Sequence, residues 1–327
     1  MNSIKLSLVI PVHNEEKHIA KCLDSCLKQD IPYSDYEIIV VNNGSTDNSL
    51  SIIEEYVAKY PNVIVHTQEN KIAGGARNFG ILNAKGDYIW FIDGDDWIKE
   101  NCLSGLIGFT EDLVLFSGCY RYQDGGVKVV SMPMPKFEKI VETKMSVLPF
   151  LVLCKRIFLL NKKLFYVESV FYEDTEFIPK IFCCAESVNY IQGEVYYYRL
   201  NRNSVSQVTT PKKCGDFLIL ARHLLLDKEK YSTDKKWNLF FDFYILSAIH
   251  SFLWRSIDLP FRQRAILLNQ FKVDEKLKQS FLDSDKLGNK LKIFLLNHSF
   301  VLLSLCLLTE KIFRNYNILR SKRGTTL

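Results

Sequence analysis

The sequence predicts an α/β protein: a mostly parallel sheet with flanking helices, followed by a helical C-terminal region. Three observations carry this. Short apolar runs alternate with helix-like stretches through the first third of the chain, the rhythm of βαβ units. Polar residues gather at one end of those runs: Asn14, Asn42, Asn43, Arg77, Asp93, Asp95 and Asp96. Beyond Lys213 the pattern turns helical, with few strand signals. A chain of 327 residues is long for one compact core, so the expected division is an α/β domain over 1–210 and a helical region over 211–327.

The elements follow in order. Leu6 to Pro11, Glu37 to Val41, Val63 to His66 and Tyr88 to Ile92 read as strands, because their near-continuous apolar character suits strands covered on both faces. Glu16 to Lys28, Asn48 to Lys59 and Ala76 to Ala84 read as the helices between them. Leu113 to Phe116 is a further strand, Gly125-Gly126 a hairpin turn, and Met132-Pro133-Met134-Pro135 a breaker before a helix from about Lys144 to Leu160;. A helix from Thr175 to Ala185, then strands over Val188 to Ile191 and Glu194 to Leu200, close the domain.

Composition narrows the class. Hydrophobic residues make up 47% and charged residues 24%, as in ordinary globular chains, which argues against disorder and against a multispan membrane protein. The nine cysteines are scattered and form no CxxC, so neither a zinc knuckle nor a thioredoxin-like site is signalled, and free thiols point to a reducing cytoplasm. The first residues run straight into a strand without the basic start and cleavage site of a signal peptide;. From Lys286 onward eight Lys and Arg face Glu310 alone. The rest of the chain is close to neutral, so no broad basic face exists for nucleic acid. No GxGxxG follows the first strand and no GxxxxGK[ST] occurs, which speaks against a dinucleotide dehydrogenase and a P-loop enzyme.

Two acidic clusters carry the chemistry. Phe91-Ile92-Asp93-Gly94-Asp95-Asp96-Trp97 sets three carboxylates at the end of an apolar strand. Their repulsion is relieved by a divalent cation, and hard oxygen ligands suit Mg²⁺ or Mn²⁺, which can also bridge to a diphosphate. A solvated acidic turn is the plainer alternative, and the apolar run and Trp97 argue against it. The second cluster is Tyr172-Glu173-Asp174 before a helix. Such a carboxylate usually caps, but in a cleft beside a bound diphosphate it can take a proton from an attacking hydroxyl. Asn42-Asn43-Gly44-Ser45-Thr46-Asp47 reads as a turn and helix cap. Gly74-Gly75-Ala76-Arg77-Asn78 reads as a helix start that could also meet an anion. His13 and His18 lack partners at metal-ligand spacing.

Val9-Ile10-Pro11-Val12-His13-Asn14-Glu15, Ile38 to Asp47, Gly75-Ala76-Arg77-Asn78 and Phe91 to Trp97, in that order, resemble the family 2 glycosyltransferases of the GT-A fold. The resemblance covers the first hundred residues, resumes at Tyr172-Glu173-Asp174 and Tyr196 to Arg199, and fades after Gln207. It implies a Rossmann-like sheet and an inverting, metal-dependent enzyme using a nucleotide sugar, with UDP as the expected nucleotide. It further implies that Pro11, Val12, Asn14, Glu15 and Asn42 bind base and ribose, that Arg77 lies near the nucleotide and that Asp93 touches ribose. Asp95, with Asp96, would hold the metal, Asp174 would be the base, and Arg199 and Arg202 would close over the diphosphate. This chain has Asn42-Asn43 where the family turn carries two aspartates; an amide can still pair with a pyrimidine edge. The implied acceptor is a saccharide or lipid-linked saccharide in cell-surface polysaccharide synthesis. A nucleotidyltransferase, or a non-catalytic carbohydrate or membrane adaptor, are the alternatives.

Ile293 to Leu296 and Phe300 to Leu308 are strongly apolar but interrupted by Asn297-His298-Ser299. A spanning helix needs about 20 mostly apolar residues, so the expectation is an interfacial helix with a cationic flank, peripheral on the inner face of the membrane, against the alternative of a core helix.

Overall fold

The computed structural model describes residues 4–69, 72–123, 130–145, 147–200, 208–283, 287–299 and 301–311. The chain divides into two compact units, Met1–Ser204 and Val205–Leu327.

The first unit opens with the alternation expected: β1 (Leu6–Val12), α1 (Ile19–Leu27), β2 (Tyr36–Asn43), α2 (Ser49–Lys59), β3 (Val63–Gln68), α3 (Ile72–Asn83) and β4 (Tyr88–Phe91). A short strand β5 (Trp97–Ile98), a 3-10 turn at Leu103–Leu106, β6 (Leu113–Phe116), β7 (Gly118–Gln123) and β8 (Val130–Pro133) follow. Then come α4 (Phe137–Thr143), a second 3-10 turn (Pro149–Leu151), β9 (Val152–Lys155), α5 (Arg156–Asn161), α6 (Asp174–Cys184), β10 (Val188–Ile191) and β11 (Tyr196–Leu200).

Seven strands form one sheet in the order β10-β6-β9-β4-β1-β2-β3, and β5-β11-β7-β8 form a second. β1 pairs in parallel with β2 and β4, and β2 with β3. Leu6, Leu8, Val9 and Ile10 of β1 are fully buried, as a central strand between two helical layers requires. Within this core Ser7 Oγ donates to Glu37 Oε1 at 2.6 Å and accepts from Gly86 N at 2.9 Å, which satisfies a polar strand position that would otherwise be costly.

The helix expected from Lys144 to Leu160 is not present. In its place a 3-10 turn leads into β9, which lies antiparallel between β4 and β6, and only α5 is helical. Val152, Leu153 and Cys154 are buried; so short an apolar run fits a buried strand as well as a helix, and the open position beside β4 decides. The Gly125-Gly126 turn lies outside the described residues.

The second unit is helical: α7 (Pro211–Tyr231), α8 (Lys235–Ser256), α9 (Phe261–Lys272), α10 (Glu275–Leu282) and α11 (Leu287–His298), with helix again over 301–311. Thr210 caps α7 by accepting from Lys213 N, Asp234 caps α8 and Asp274 caps α10, each satisfying an orphan N–H of a first turn. Phe240, Phe241, Phe252, Phe271 and Phe281 fill its core. Among the described residues no helix is long and apolar enough to cross a membrane.

Candidate active site

The acid loop begins where β4 ends. Ile92 N still donates to Val9 O at 3.0 Å, and Asp96 N then donates to Asp93 O at 3.0 Å, closing a turn. Gly94 sits so near the end of β1 that a Cβ there would meet Pro11 O at 3.2 Å and Val12 Cγ2 at 3.3 Å. A side chain would push the loop away, so the glycine permits the close approach. The fold thus brings Pro11, Val12 and Glu15 to Asp93 and Asp95. Burial, then repulsion from Asp95, Asp47 and Asp93, pushes the Glu15 carboxyl up to about 8. Burial and Asp93 raise Asp95 to about 6. Carboxylates held together at this electrostatic cost favour a cation.

Arg77 links this loop to the second cluster. Its Nη2 donates to Asp93 Oδ1 at 2.8 Å and its Nη1 to Glu173 Oε1. The Arg77 and Glu173 side chains are each 8% exposed, whereas Asp93 is 33% exposed. Burial works against the guanidinium charge, but Asp93 and Glu173 outweigh it and raise its pKa. Asp174 opens α6, and its Oδ1 accepts from Thr175 N at 3.0 Å. Burial raises Asp174; Arg77 opposes the shift and Asp93 adds to it. Asp174 therefore stands within the field of both the arginine and the acid loop.

The Gly-Gly-Ala-Arg-Asn motif is a clasp inside α3, where a helix start was expected. A Cβ on Gly74 would meet Val167 O at 2.7 Å. Asn78 Oδ1 accepts from Tyr166 N at 2.8 Å while its Nδ2 donates to Tyr166 O at 2.9 Å. Gly74 and Asn78, one turn apart on the same helix, thus seat the segment that leads to Asp174.

The loop after β1 and the turn after β2 are knitted together. Asn14, with φ 59°, accepts from Thr46 N at 2.8 Å through Oδ1, and its own N–H donates to Ser45 Oγ at 3.1 Å. Asn42 is buried. Its Oδ1 accepts from Ser45 N at 3.2 Å and its Nδ2 donates to Thr67 Oγ1 at 3.4 Å, so the amide shapes the turn from within. Glu15 N donates to Ser49 Oγ at 2.8 Å, and His13 Nδ1 lies 3.0 Å from Asn43 O.

Asp96 stands apart from its neighbours in the loop. It is 1% exposed, and both carboxylate oxygens are engaged, Oδ2 by the Tyr196 hydroxyl at 2.7 Å and Oδ1 by Arg199 N at 2.7 Å. That hydroxyl also accepts from Asp93 N at 3.1 Å, and Arg199 Nε donates to Asp95 O at 2.9 Å. Asp96 and Arg199 thereby fasten β11 to the acid loop. The Arg199 guanidinium lowers both Glu15 and Asp95 electrostatically, though less than burial and repulsion raise them. Tyr196 stacks on Phe150 at 4.0 Å. Arg202 lies outside the described residues.

No trio of His, Cys, Asp or Glu among the described residues forms a metal site complete in itself. The donor chemistry at Asp95 and Glu15 nevertheless fits a hard divalent cation that takes its remaining ligands from an anionic substrate.

The pattern of Glycosyl transferase family 2 matches residues 7–165, spanning β1 to the segment clasped by α3. Residues 7–165 form a glycosyl transferase family 2 domain. This assignment stands in place of the nucleotidyltransferase alternative. Among relatives of the family, the poly(ribitol-phosphate) beta-glucosyltransferase of Bacillus spizizenii is 45% identical over 111 residues, 33% of this chain and 18% of that protein. Glycosyltransferase GlyA of Streptococcus pneumoniae is 30% identical over 227 residues, 64% of this chain and 32% of that one. The chain thus spans less than a third of either relative. Staphylococcus aureus TarS, solved with UDP-GlcNAc, superposes with a TM-score of 0.69 at 20% identity, covering 94% of this chain and 92% of that one. A mannosyltransferase from Pyrobaculum calidifontis, solved with GDP-Man and Mn²⁺, gives a TM-score of 0.54 at 14% identity, covering 97% and 88%. These likenesses establish the fold class as GT-A.

Glu173, Tyr196 and Asn78 are the site residues whose roles were not readable in advance. Each lay inside or beside a motif, but its partner is distant in sequence.

Proposed function

We propose that the chain moves a glycosyl group from a nucleoside-diphosphate sugar, with uridine as the nucleoside, to a hydroxyl of a cell-envelope polymer, with inversion at the anomeric carbon. The observation that carries this is the Arg77 bridge: one buried guanidinium ties Asp93 of the acid loop to Glu173, the neighbour of Asp174. An acid loop for a diphosphate and a carboxylate for a proton then face one reaction space. The UDP-GlcNAc bound by TarS and the polyol-phosphate polymer named for the Bacillus relative support the donor and acceptor classes.

In this reading residues 1–210 carry the chemistry. Pro11, Val12, Asn14 and Glu15, with the turn that Asn42 shapes, hold base and ribose, and Asp93 touches the ribose. Asp95, assisted by Glu15, holds Mg²⁺ or Mn²⁺, and Asp96 serves by positioning β11. The cation, when bound, supplies neutralisation of the departing diphosphate. Asp174 takes the proton from the acceptor hydroxyl as its oxygen attacks the anomeric carbon on the face opposite the diphosphate. The bond from that carbon to the diphosphate oxygen breaks, and its electron pair leaves with the diphosphate. The raised pKa of Asp174 suits a base, since a more basic carboxylate accepts the proton more readily. Arg199 presents a cation beside the leaving group, and Arg202 follows in the same segment. The acceptor is a saccharide or lipid-linked saccharide chain at the cytoplasmic face of the membrane.

The test is a panel of nucleotide sugars, read by metal-dependent release of nucleoside diphosphate, with Asp174→Asn beside the wild type. Release should fall by about 10²–10⁴-fold in the variant while calorimetric affinity for the donor stays within a few-fold. Wild-type turnover by Asp174→Asn would remove Asp174 from the role.

A further inference from the structure

The last two described helices of the second unit are apolar on both sides. The helix over 301–311 buries Leu303, Ser304 and Leu307 against its own unit and turns Val301, Leu302, Leu305 and Leu308 outward. The outward set recurs at the spacing of one helical face. α11 does the same, burying Ile293 and Leu296 while presenting Leu291 and Phe294. These six outward residues are 41–57% exposed. The Lys292 Nζ to Glu310 Oε2 ion pair, 2.9 Å, clasps the two helices together. An outward stripe this apolar calls for a cover in the working protein.

Charge identifies the cover. Glu310 is the only acidic residue from Leu287 to Leu327, and Lys292 already pairs with it. Lys290 is exposed on α11, and the sequence after the last described helix adds Arg314, Arg320, Lys322 and Arg323. A second copy of this chain would carry the same excess of positive charge in its own segment from Leu287 to Leu327 and be repelled;. An anionic lipid surface meets both demands, taking apolar side chains below its headgroups and cations among them. Neither helix can cross a bilayer, so the mode is to lie in the interface.

We infer that the outward faces of α11 and the 301–311 helix form a docking surface for an anionic bilayer. The surface is independent of the transfer chemistry, so each can fail alone. The experiment floats the full chain with vesicles of phosphatidylglycerol and phosphatidylcholine, and with phosphatidylcholine alone, in low and high salt. The wild type should float with the anionic vesicles and release as salt rises, and should stay down with phosphatidylcholine. Leu302→Glu/Leu305→Glu should lose binding by about tenfold or more with its circular dichroism and its turnover on a soluble acceptor unchanged. Wild type that stays down with anionic vesicles, or a variant that floats equally, overturns the inference. So does concentration-dependent dimerisation that the variant abolishes while vesicle binding persists. Should the variant unfold, Lys290→Glu replaces it, and undiminished flotation at low salt counts against the inference in the same way.

Discussion

Replacing Arg77 with methionine keeps an unbranched apolar stem but deletes the guanidinium, the charge that holds Asp93 and Glu173 together. Because Arg77 and Glu173 are each 8% exposed, water cannot take over the solvation of Glu173, whereas Asp93, at 33% exposed, can rehydrate. The loss is therefore mainly that of one buried, uncompensated carboxylate, about 3–5 kcal/mol. Chemical denaturation at neutral pH should read that loss, with a melting temperature lower by on the order of 10 °C. The pH dependence has a definite sign. Burial already raises Glu173, with Arg77 opposing; without the arginine the folded-state pKa climbs further above the unfolded one. A group shifted in that direction contributes stability below its unfolded pKa that is lost as pH rises through the folded pKa. Arg77→Met should thus regain stability on going from neutral pH toward pH 5, where the wild type gains less. Arg77→Met/Glu173→Gln should recover most of the loss, giving a coupling of at least about 2 kcal/mol in a double-mutant cycle. Additive effects within about 0.5 kcal/mol would refute the bridge as a joint element.

Chelation should abolish turnover and weaken donor binding, with Mn²⁺ or Mg²⁺ restoring both; Asp95→Ala should mimic chelation and resist rescue, as calorimetry with UDP would show. Since Asp174 is raised above the ordinary aspartate range by burial and must be ionised to accept a proton, the acid limb of the kcat profile should lie above that range, with activity lost as pH falls through it. Tyr196→Phe removes the hydroxyl that accepts from Asp93 N and donates to Asp96. It should cost about 1–3 kcal/mol in stability and loosen metal affinity in a titration. Gly80→Ala would set a Cβ 2.2 Å from Val9 Cγ1, and thermal melting should report a loss of about 1–3 kcal/mol or more from overpacking.

What could be read in the sequence had a local cause. β1, β2 and β4 are apolar runs whose burial is a property of the residues themselves, and the loop Asp93 to Asp96 follows one of them directly. α6 was legible from its carboxylates and apolar face. β9 was not, because a short apolar run becomes an antiparallel strand only when β4 and β6 leave room for it. β7 and β8 were marked only by the Gly125-Gly126 turn read between them, and β8 ends in Met132-Pro133, which read as part of a breaker. The site divides in the same way. Asp93, Asp95 and Asp174 were visible as acidic clusters, whereas the pairing of Arg77 with Glu173 spans 96 positions and that of Tyr196 with Asp96 spans 100. Asn42 was expected to offer its amide to a base; that its oxygen also accepts from Ser45 N and its nitrogen donates to Thr67 Oγ1 is set up only by the folded turn. Asp96 was grouped with Asp95 on the family resemblance, and in the fold both its oxygens are engaged by Tyr196 and Arg199 of β11.

The clasp along α3 works as a caliper. Gly80 is pressed on Val9, Arg77 reaches Asp93, and Gly74 and Asn78 grip the backbone at Val167 and Tyr166. One rigid rod therefore gauges the gap between the tip of β4 and the start of α6. In a transferase of the kind proposed, a shift of that rod would move the acid loop and the proposed base relative to each other, so its packing would set their spacing.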